Sequence, residues 1–450
     1  MEQRRTKQHQ ARTLGERARL FEFRPEVYIY PPHRMYRAYT RQEQEDFSLE
    51  NVAFSEDINI YVHIPFCRQI CSFCGYLKTL DRGDDARDAY TNAVVREIGL
   101  YAPVLGKSTI KTLHIGGGTP SLLTCSQLEQ IIGEIERHNP LLRETVSEIS
   151  IEATPESVTS GTARRWRSLG IDRVSIGIQS LDDREIALSR RHNNAQVSLG
   201  ALRTLREAGI GNIVADVMIG IEGQSVESFE RTVRTLIGER PDTVELYALG
   251  VMPNTLIAKK EGQAARMSNE DIYRCYSLGR ELFLFAGYVQ DCHNRYALPG
   301  RGSFLQEDYV FEGMSLIGLG AGTRTYADNI HYRNSYDDNA VKAIKEYEDA
   351  LLAGKFAVRS GIALTEDERM RKYAIGHIES LDKDAFRSRF NLTFNQAFPH
   401  LSSQLAQAGL TTEDSNHISL TPKGLDFRDL ISWELFSDEV RAVEEKYRKR

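Results

Sequence analysis

From Ile58 onward the chain alternates short apolar runs with longer, charged, amphipathic stretches. The runs Asn59–Ile64, Thr109–Ile115, Glu148–Glu152, Arg173–Ile178, Ile213–Ile219 and Thr243–Leu249 are rich in Ile and Val and are short enough to predict strands. The intervening stretches Arg87–Tyr101, Ser126–Arg137, Ser157–Leu169, Asn194–Ala208 and Ser225–Ile237 carry apolar residues at helical spacing and predict helices. Six such β/α repeats require a parallel sheet with crossover helices, either an open doubly wound sheet or a partial barrel. Ligands of both architectures gather at the carboxyl ends of the strands.

The flanking segments follow different patterns. Residues 20–55 hold apolar and aromatic residues without a sustained period and read as an extended arm over a larger domain, with Tyr28–Tyr36 covering the barrel mouth. Met1–Arg19 is polar and basic, has no apolar core of the kind a secretory signal needs, and reads as a solvated arm. After the sixth strand come a helix over Asp271–Ala286, a strand over Tyr288–Asp291 and a Gly-rich segment, Ile317–Arg324. Helices over Glu366–Ile378 and Ser402–Ala408, with a strand from Ile418, predict a small winged-helix-like α+β domain. The expected fold is α/β: a partial (β/α)6 TIM-like barrel with an N-terminal arm and that C-terminal domain. Its divisions are 1–55 (arm), 56–290 (barrel), 291–360 (barrel extension) and 361–450 (C-terminal domain).

A net charge of -6 gives no general attraction to nucleic acid, and no apolar run approaches the length of a membrane span. The six cysteines are too few for a disulfide framework in so long a chain, which points to a reducing compartment, the cytoplasm. Three of them, Cys67, Cys71 and Cys74, form a C-x3-C-x2-C triplet directly after the first strand. Soft thiolates in one loop suit zinc or iron–sulfur. A closed zinc site needs a fourth Cys or His at ligand spacing, whereas Cys125, Cys275 and Cys292 are isolated. An iron–sulfur cluster with one iron left open fits the triplet better.

The run Tyr61-Val-His-Ile-Pro-Phe-Cys-x3-Cys-x-Phe-Cys74 resembles the cluster motif of radical S-adenosylmethionine (SAM) enzymes, and more narrowly the subfamily typified by oxygen-independent coproporphyrinogen III oxidase. The resemblance implies that Cys67, Cys71 and Cys74 hold a [4Fe–4S] cluster whose fourth iron is chelated by SAM, which splits to a 5′-deoxyadenosyl radical. It further implies that Gly116, Gly117, Gly118 and Thr119, in His114-Ile-Gly-Gly-Gly-Thr-Pro-Ser121, approach the methionyl group. Glu152 would bond the SAM ammonium, Gln179 and Arg191 (or Arg190) would touch SAM, and Asp216 would hold the ribose hydroxyls. Phe73 and Gly250 would line the adenine. Alone, Glu152 reads as a strand-end carboxylate capping the next helix, and Gln179, Arg191 and Asp216 as parts of an ordinary surface ion pair.

Within the subfamily, the oxidase motif continues Cys-Gly-Cys, whereas this chain has Cys74-Gly75-Tyr76. That departure turns the expectation toward methyl or methylene transfer to an sp2 carbon of an aromatic or heteroaromatic small molecule. A second SAM as carbon donor would lie against Tyr61, Glu152 and Arg324, with His63 moving a proton. Tyr61 reads equally well as a packed strand residue, and Gly318–Gly322 as a tight turn. The alternatives are tetrapyrrole chemistry, by propionate decarboxylation or haem ring-opening methylation, and a haem-binding chaperone. A flavodoxin or ferredoxin would supply electrons.

Overall fold

A computed structural model describes residues 13–24, 27, 29–253, 255–260, 267–302 and 304–448. Residues 1–12 and Tyr28, both part of the expected arm, lie outside them.

The six apolar runs form strands β1 (Asp57–Ile64), β2 (Thr109–Gly117), β3 (Glu148–Ala153), β4 (Arg173–Gln179), β5 (Asn212–Ile219) and β6 (Thr243–Ala248), adjacent in that order and all parallel. Helices α1 (Asp84–Leu100), α2 (Cys125–His138), α3 (Ser160–Ser168), α4 (Ala195–Glu207) and α5 (Val226–Glu239) make the crossovers. Capping boxes at Thr124, Thr159 and Ser225 start α2, α3 and α5 by satisfying free backbone donors. Ser157, expected to begin the third helix, belongs instead to a 3-10 turn at Pro155–Ser157, because Thr159 is the residue that caps. The strands' apolar side chains join those of the helices in one buried core.

The sheet does not end with the six repeats. Ser315–Leu319 lies parallel to β1 on the side away from β2, and the antiparallel strands Arg324–Tyr326, Ile330–Asn334 and Val358–Ala363 continue that edge. Beyond β6, Arg295–Ala297 and Val289–Cys292 close the other edge. The Gly-rich segment is therefore a strand and a tight connection. A side chain on Gly318 would strike the Arg324 carbonyl, on Gly320 it would lie 2.6 Å from Tyr90 Oη, and on Gly322 2.8 Å from Leu77. That space is filled by the chain itself, not left for a ligand. Glu97 of α1 fixes the connection, accepting from Gly320 N–H at 2.8 Å and Asn334 Nδ2 at 2.6 Å.

The reading of Met1–Arg19 as solvated fails for its described end. Leu14–Arg19 is a helix capped by Thr13, and its Leu14 and Ala18 are buried in a second core with Ile375, Phe386, Leu405 and Leu430. Arg17 pairs with Glu434. This core contains a three-stranded sheet, Ser380–Asp382, His417–Leu420 and Thr411–Glu413, flanked by short helices. It meets the barrel through helix Asn269–Phe285, whose Tyr273 ring lies 4.4 Å from Phe427 and whose Arg280 pairs with Asp426.

At the amino ends of the strands Arg173 is 2% exposed and bonds Glu245 at 2.7 Å, with Glu148 at 3.9 Å. Replacing it leaves two buried carboxylates without their cation, an effect of about 3–5 kcal/mol. Arg173→Met is expected to lose that much stability in urea unfolding, and adding Glu245→Gln should restore part of it.

Candidate active site

Loop 65–80 leaves the carboxyl end of β1 and is pinned at both ends. Thr79 N–H donates to Pro65 O at 2.8 Å and Asp81 N–H to Cys67 O at 2.9 Å. Mid-loop, Ser72 N–H bonds Ser189 O at 3.1 Å and Ser72 O accepts from Ile257 N–H at 2.9 Å. Cys67 is buried, and Cys71 and Cys74 are half-buried. Burial pushes the Cys67 thiol up to about 12 and raises that of Cys74, so metal binding at these thiols must displace protons. Among the described residues no three His, Cys, Asp or Glu side chains gather around one point as a single metal ion requires. A polynuclear cluster instead takes one thiolate per iron. The all-sulfur donor set, with Arg191 Nη1 3.7 Å from Cys71 Sγ, fits such a cluster.

The glycine triplet ends β2 directly beside this loop. A Cβ on Gly116 would lie 2.8 Å from Glu152 Oε1, 2.9 Å from His114 Nε2 and 2.9 Å from Tyr61. On Gly117, at φ +120°, it would lie 2.5 Å from His63 Nδ1, and on Gly118 2.9 Å from Cys67 Sγ. The missing side chains make room first for the chain's own functional groups. Thr119 follows, buried, and hydrogen-bonds the Cys67 thiol.

Those groups form two connected pairs. Leu77 O can only accept, so the 2.8 Å contact fixes the proton of His63 on Nε2, and Nδ1 accepts from Tyr61 Oη at 3.0 Å. Burial lowers the His63 pKa and keeps the ring neutral. Beside it, Glu152 accepts from His114 Nε2 at 3.2 Å and from Gly117 N–H at 2.9 Å. Burial alone would raise this carboxyl, but His114 and the Gly117 amide hold it below its ordinary range. The Tyr61 and His114 rings stack at 5.7 Å. An ionised, oriented carboxylate thus stands next to an aromatic face, an arrangement that receives a cation.

Further round the mouth, Gln179 ends β4 in the left-handed region at φ +67°, and its Oε1 is buried without a partner. A positive φ and an unmet acceptor are features that suit a residue meeting a ligand. Arg191 is aimed inward, donating to Gly177 O at 2.6 Å, whereas Arg190 is exposed. Ser175 Oγ donates to Asp216 at 2.7 Å; burial, then Glu245, raise that carboxyl well above its ordinary value. Phe73 is half-buried in the Cys loop, and Gly250 follows β6 at the same end of the barrel. Arg324 opens its strand at the rim.

The sequence expectations leave out several positioning residues. His114 and Ser150, 2.9 Å apart, orient Glu152, and Ser175 orients Asp216. Tyr90 of α1 donates to His63 O at 2.9 Å and accepts from Ala321 N–H at 2.8 Å. His114 was visible beside the glycines; nothing in its own helix marks Tyr90.

Residues 61–236 match the sequence family described as the Radical SAM superfamily. Those residues, which span the parallel strands from within β1 through β5, are identified as a radical SAM domain. The radical SAM family uses a [4Fe–4S] cluster and SAM, and the thiols of Cys67, Cys71 and Cys74 fit such a cluster. Residues 364–427 match the HemN C-terminal domain. The oxygen-independent coproporphyrinogen III oxidase of Pseudomonas aeruginosa is 29% identical over 82% of this chain and 83% of its own length. The haem chaperone HemW of Bacillus subtilis is 25% identical over 81% of this chain and 95% of its own. The coproporphyrinogen III oxidase structure from Escherichia coli, HemN, shares the fold, with a TM-score of 0.77 at 24% identity over 91% of this chain and 96% of that one. The chain is thus similar along most of its length to proteins of the HemN-like subfamily. None of its described helices is long and apolar enough to cross a membrane.

Proposed function

We propose that this radical SAM protein is an enzyme acting on a tetrapyrrole, with oxidative loss of a propionate carboxyl group as its reaction. The observation that carries the enzymatic reading is Glu152, ionised and held by His114 and Gly117 beside Tyr61 and the cysteine loop. Its geometry suits the ammonium of SAM. Gln179 and Asp216 support the same reading as acceptors for the adenosyl part. The substrate class is supported by relatives that match more than four-fifths of the chain and are named for coproporphyrinogen III or haem. Methyl or methylene transfer, the leading expectation from Tyr76, has no counterpart among those curated relatives.

Bound cluster and SAM would supply the 5′-deoxyadenosyl radical. Tyr61 and His63 would orient a second SAM at the barrel mouth, and His63, neutral with a bare Nδ1 once Tyr61 turns away, would accept a proton there. Oxidative loss of the propionate carboxyl would take one hydrogen atom from the substrate, release the carboxylate as carbon dioxide and leave one electron for an external acceptor.

The test is anaerobic turnover of reconstituted protein with SAM, a flavodoxin-type reductant and coproporphyrinogen III. Expected products are 5′-deoxyadenosine, methionine and carbon dioxide, without S-adenosylhomocysteine. Formation of S-adenosylhomocysteine would restore the methyl-transfer reading. Stoichiometric haem binding without SAM cleavage would assign a chaperone.

A further inference from the structure

The rim of the barrel beside the Gly-rich connection holds a charge arrangement that the chain leaves unbalanced. Arg324 and Arg333 are directly opposite each other across the antiparallel strands Arg324–Tyr326 and Ile330–Asn334. Like charges in that register are destabilising, so the pair costs stability unless something neutralises it. Among the described residues no carboxylate pairs with either guanidinium, and no hydrogen-bond acceptor engages that of Arg324. Arg333 is oriented instead: its Nε donates to Gly322 O at 3.3 Å and its guanidinium lies 3.3 Å from the Tyr336 ring centre. Burial, then Arg324, push Arg333 down to about 10.

Two further groups from the N-terminal segment face the pair. His33 is pushed down to about 2 by burial and by Arg324, Arg333 and Arg34, so it adds a neutral ring rather than a third cation. Tyr36 carries a buried hydroxyl with no hydrogen-bond partner. A buried hydroxyl left unmade is costly, and beside two guanidiniums it is a donor awaiting an anion. The position is close to the chemistry. Gly322 packs on Leu77, whose carbonyl fixes His63, and Arg324 lies within electrostatic reach of Tyr61 and Tyr76.

We propose that Arg324, Arg333, His33 and Tyr36 form a carboxylate-binding site that docks the acidic side chains of the substrate at the barrel rim. Two forked cations and a hydroxyl suit one or two carboxylates. SAM fits this place poorly, because its carboxylate is accompanied by an ammonium and the site offers no anion to receive one. The site reassigns Arg324 from the second SAM to the substrate. The identity of the molecule bearing the carboxylates rests on the tetrapyrrole reading; the site itself does not.

The probes are coproporphyrin III and its tetramethyl ester, titrated by fluorescence into the protein and into Arg324→Gln/Arg333→Gln. The variant should bind the free acid about 10²-fold more weakly and the ester as the parent does. Relief of the repulsion should leave its melting temperature no lower, which controls for folding. Equal affinity of parent and variant for the acid overturns the proposal, as does a matching loss of SAM affinity, which would return the arginines to the cofactor. Should the parent bind neither porphyrin, the tetrapyrrole reading fails, and succinate and inorganic phosphate become the probes in a thermal-shift assay. A succinate shift seen only with the arginines present sustains the site; no shift, or a shift with phosphate alone, overturns it.

Discussion

Cys71→Ala will abolish the iron–sulfur absorbance of reconstituted protein while leaving the fold intact. The fold is expected to survive because backbone pairing, not the thiols, holds the loop: Thr79 to Pro65, Asp81 to Cys67, and Ser72 to both Ser189 and Ile257. Cys71 is half-exposed and fills no core position. The cluster is expected to fail because two thiolates remain where three irons need one each. Loss of an outer-shell partner of a metal ligand already costs about 10–100-fold in affinity, and loss of the ligand itself should exceed that. The readouts are iron per chain, thiolate-to-iron absorbance and 5′-deoxyadenosine formed from SAM, with melting temperature as the control. A variant with full iron content would contradict the ligand assignment. Arg191→Gln offers a graded comparison: it removes the guanidinium near Cys71 Sγ and should weaken the cluster less than the cysteine change.

How much of this was legible in the sequence depends on the distance over which each contact is made. The six parallel strands were legible because strands buried on both faces read as continuous Ile/Val runs, and each begins and ends within a few residues of its expected bounds. The cysteine loop stood out for a similar reason, since its three cysteines lie within eight residues. Leu14–Arg19 was not legible: its two apolar residues make too thin a stripe, and the surface that buries them comes from the far end of the chain. Ser315–Leu319 was hidden by glycines, which locally suggest a loop, while their cause is the crowding of a hairpin against Tyr90 and Leu77. The glycine triplet was located correctly, yet its reason lies in β1 and β3, whose Tyr61, His63 and Glu152 occupy the space a Cβ would take. Arg324 stood out at the end of the Gly-rich segment, but no motif joins it to Arg333; only the register of two strands brings positions 324 and 333 together.

Glu152→Gln should separate SAM binding from cluster assembly. The carboxylate accepts two donors, His114 Nε2–H through Oε1 and Gly117 N–H through Oε2. An amide keeps the shape and both contacts, because its oxygen can accept from Gly117 N–H while its NH2 donates to His114 Nε2 in the other tautomer, with Nδ1–H then donating to Ser150 Oγ. The negative charge offered to an ammonium disappears. A hydrogen bond to a charged group contributes about 1.5–3 kcal/mol, so the affinity for SAM should fall by about 10²-fold. Iron content should not change, because neither His114 nor Gly117 is a cluster ligand. Equilibrium dialysis of SAM against the reconstituted variant gives the answer directly. An unchanged dissociation constant would remove Glu152 from the cofactor site and leave it as a brace between β2 and β3. Gly117→Ala distinguishes that outcome further: at φ +120° its methyl group meets His63 Nδ1, so it should displace His63 from Tyr61 while leaving Glu152 ionised. If Glu152→Gln loses SAM and Gly117→Ala binds it without productive cleavage, the two pairs at the barrel mouth have separate tasks, one holding the cofactor and the other positioning it for reaction.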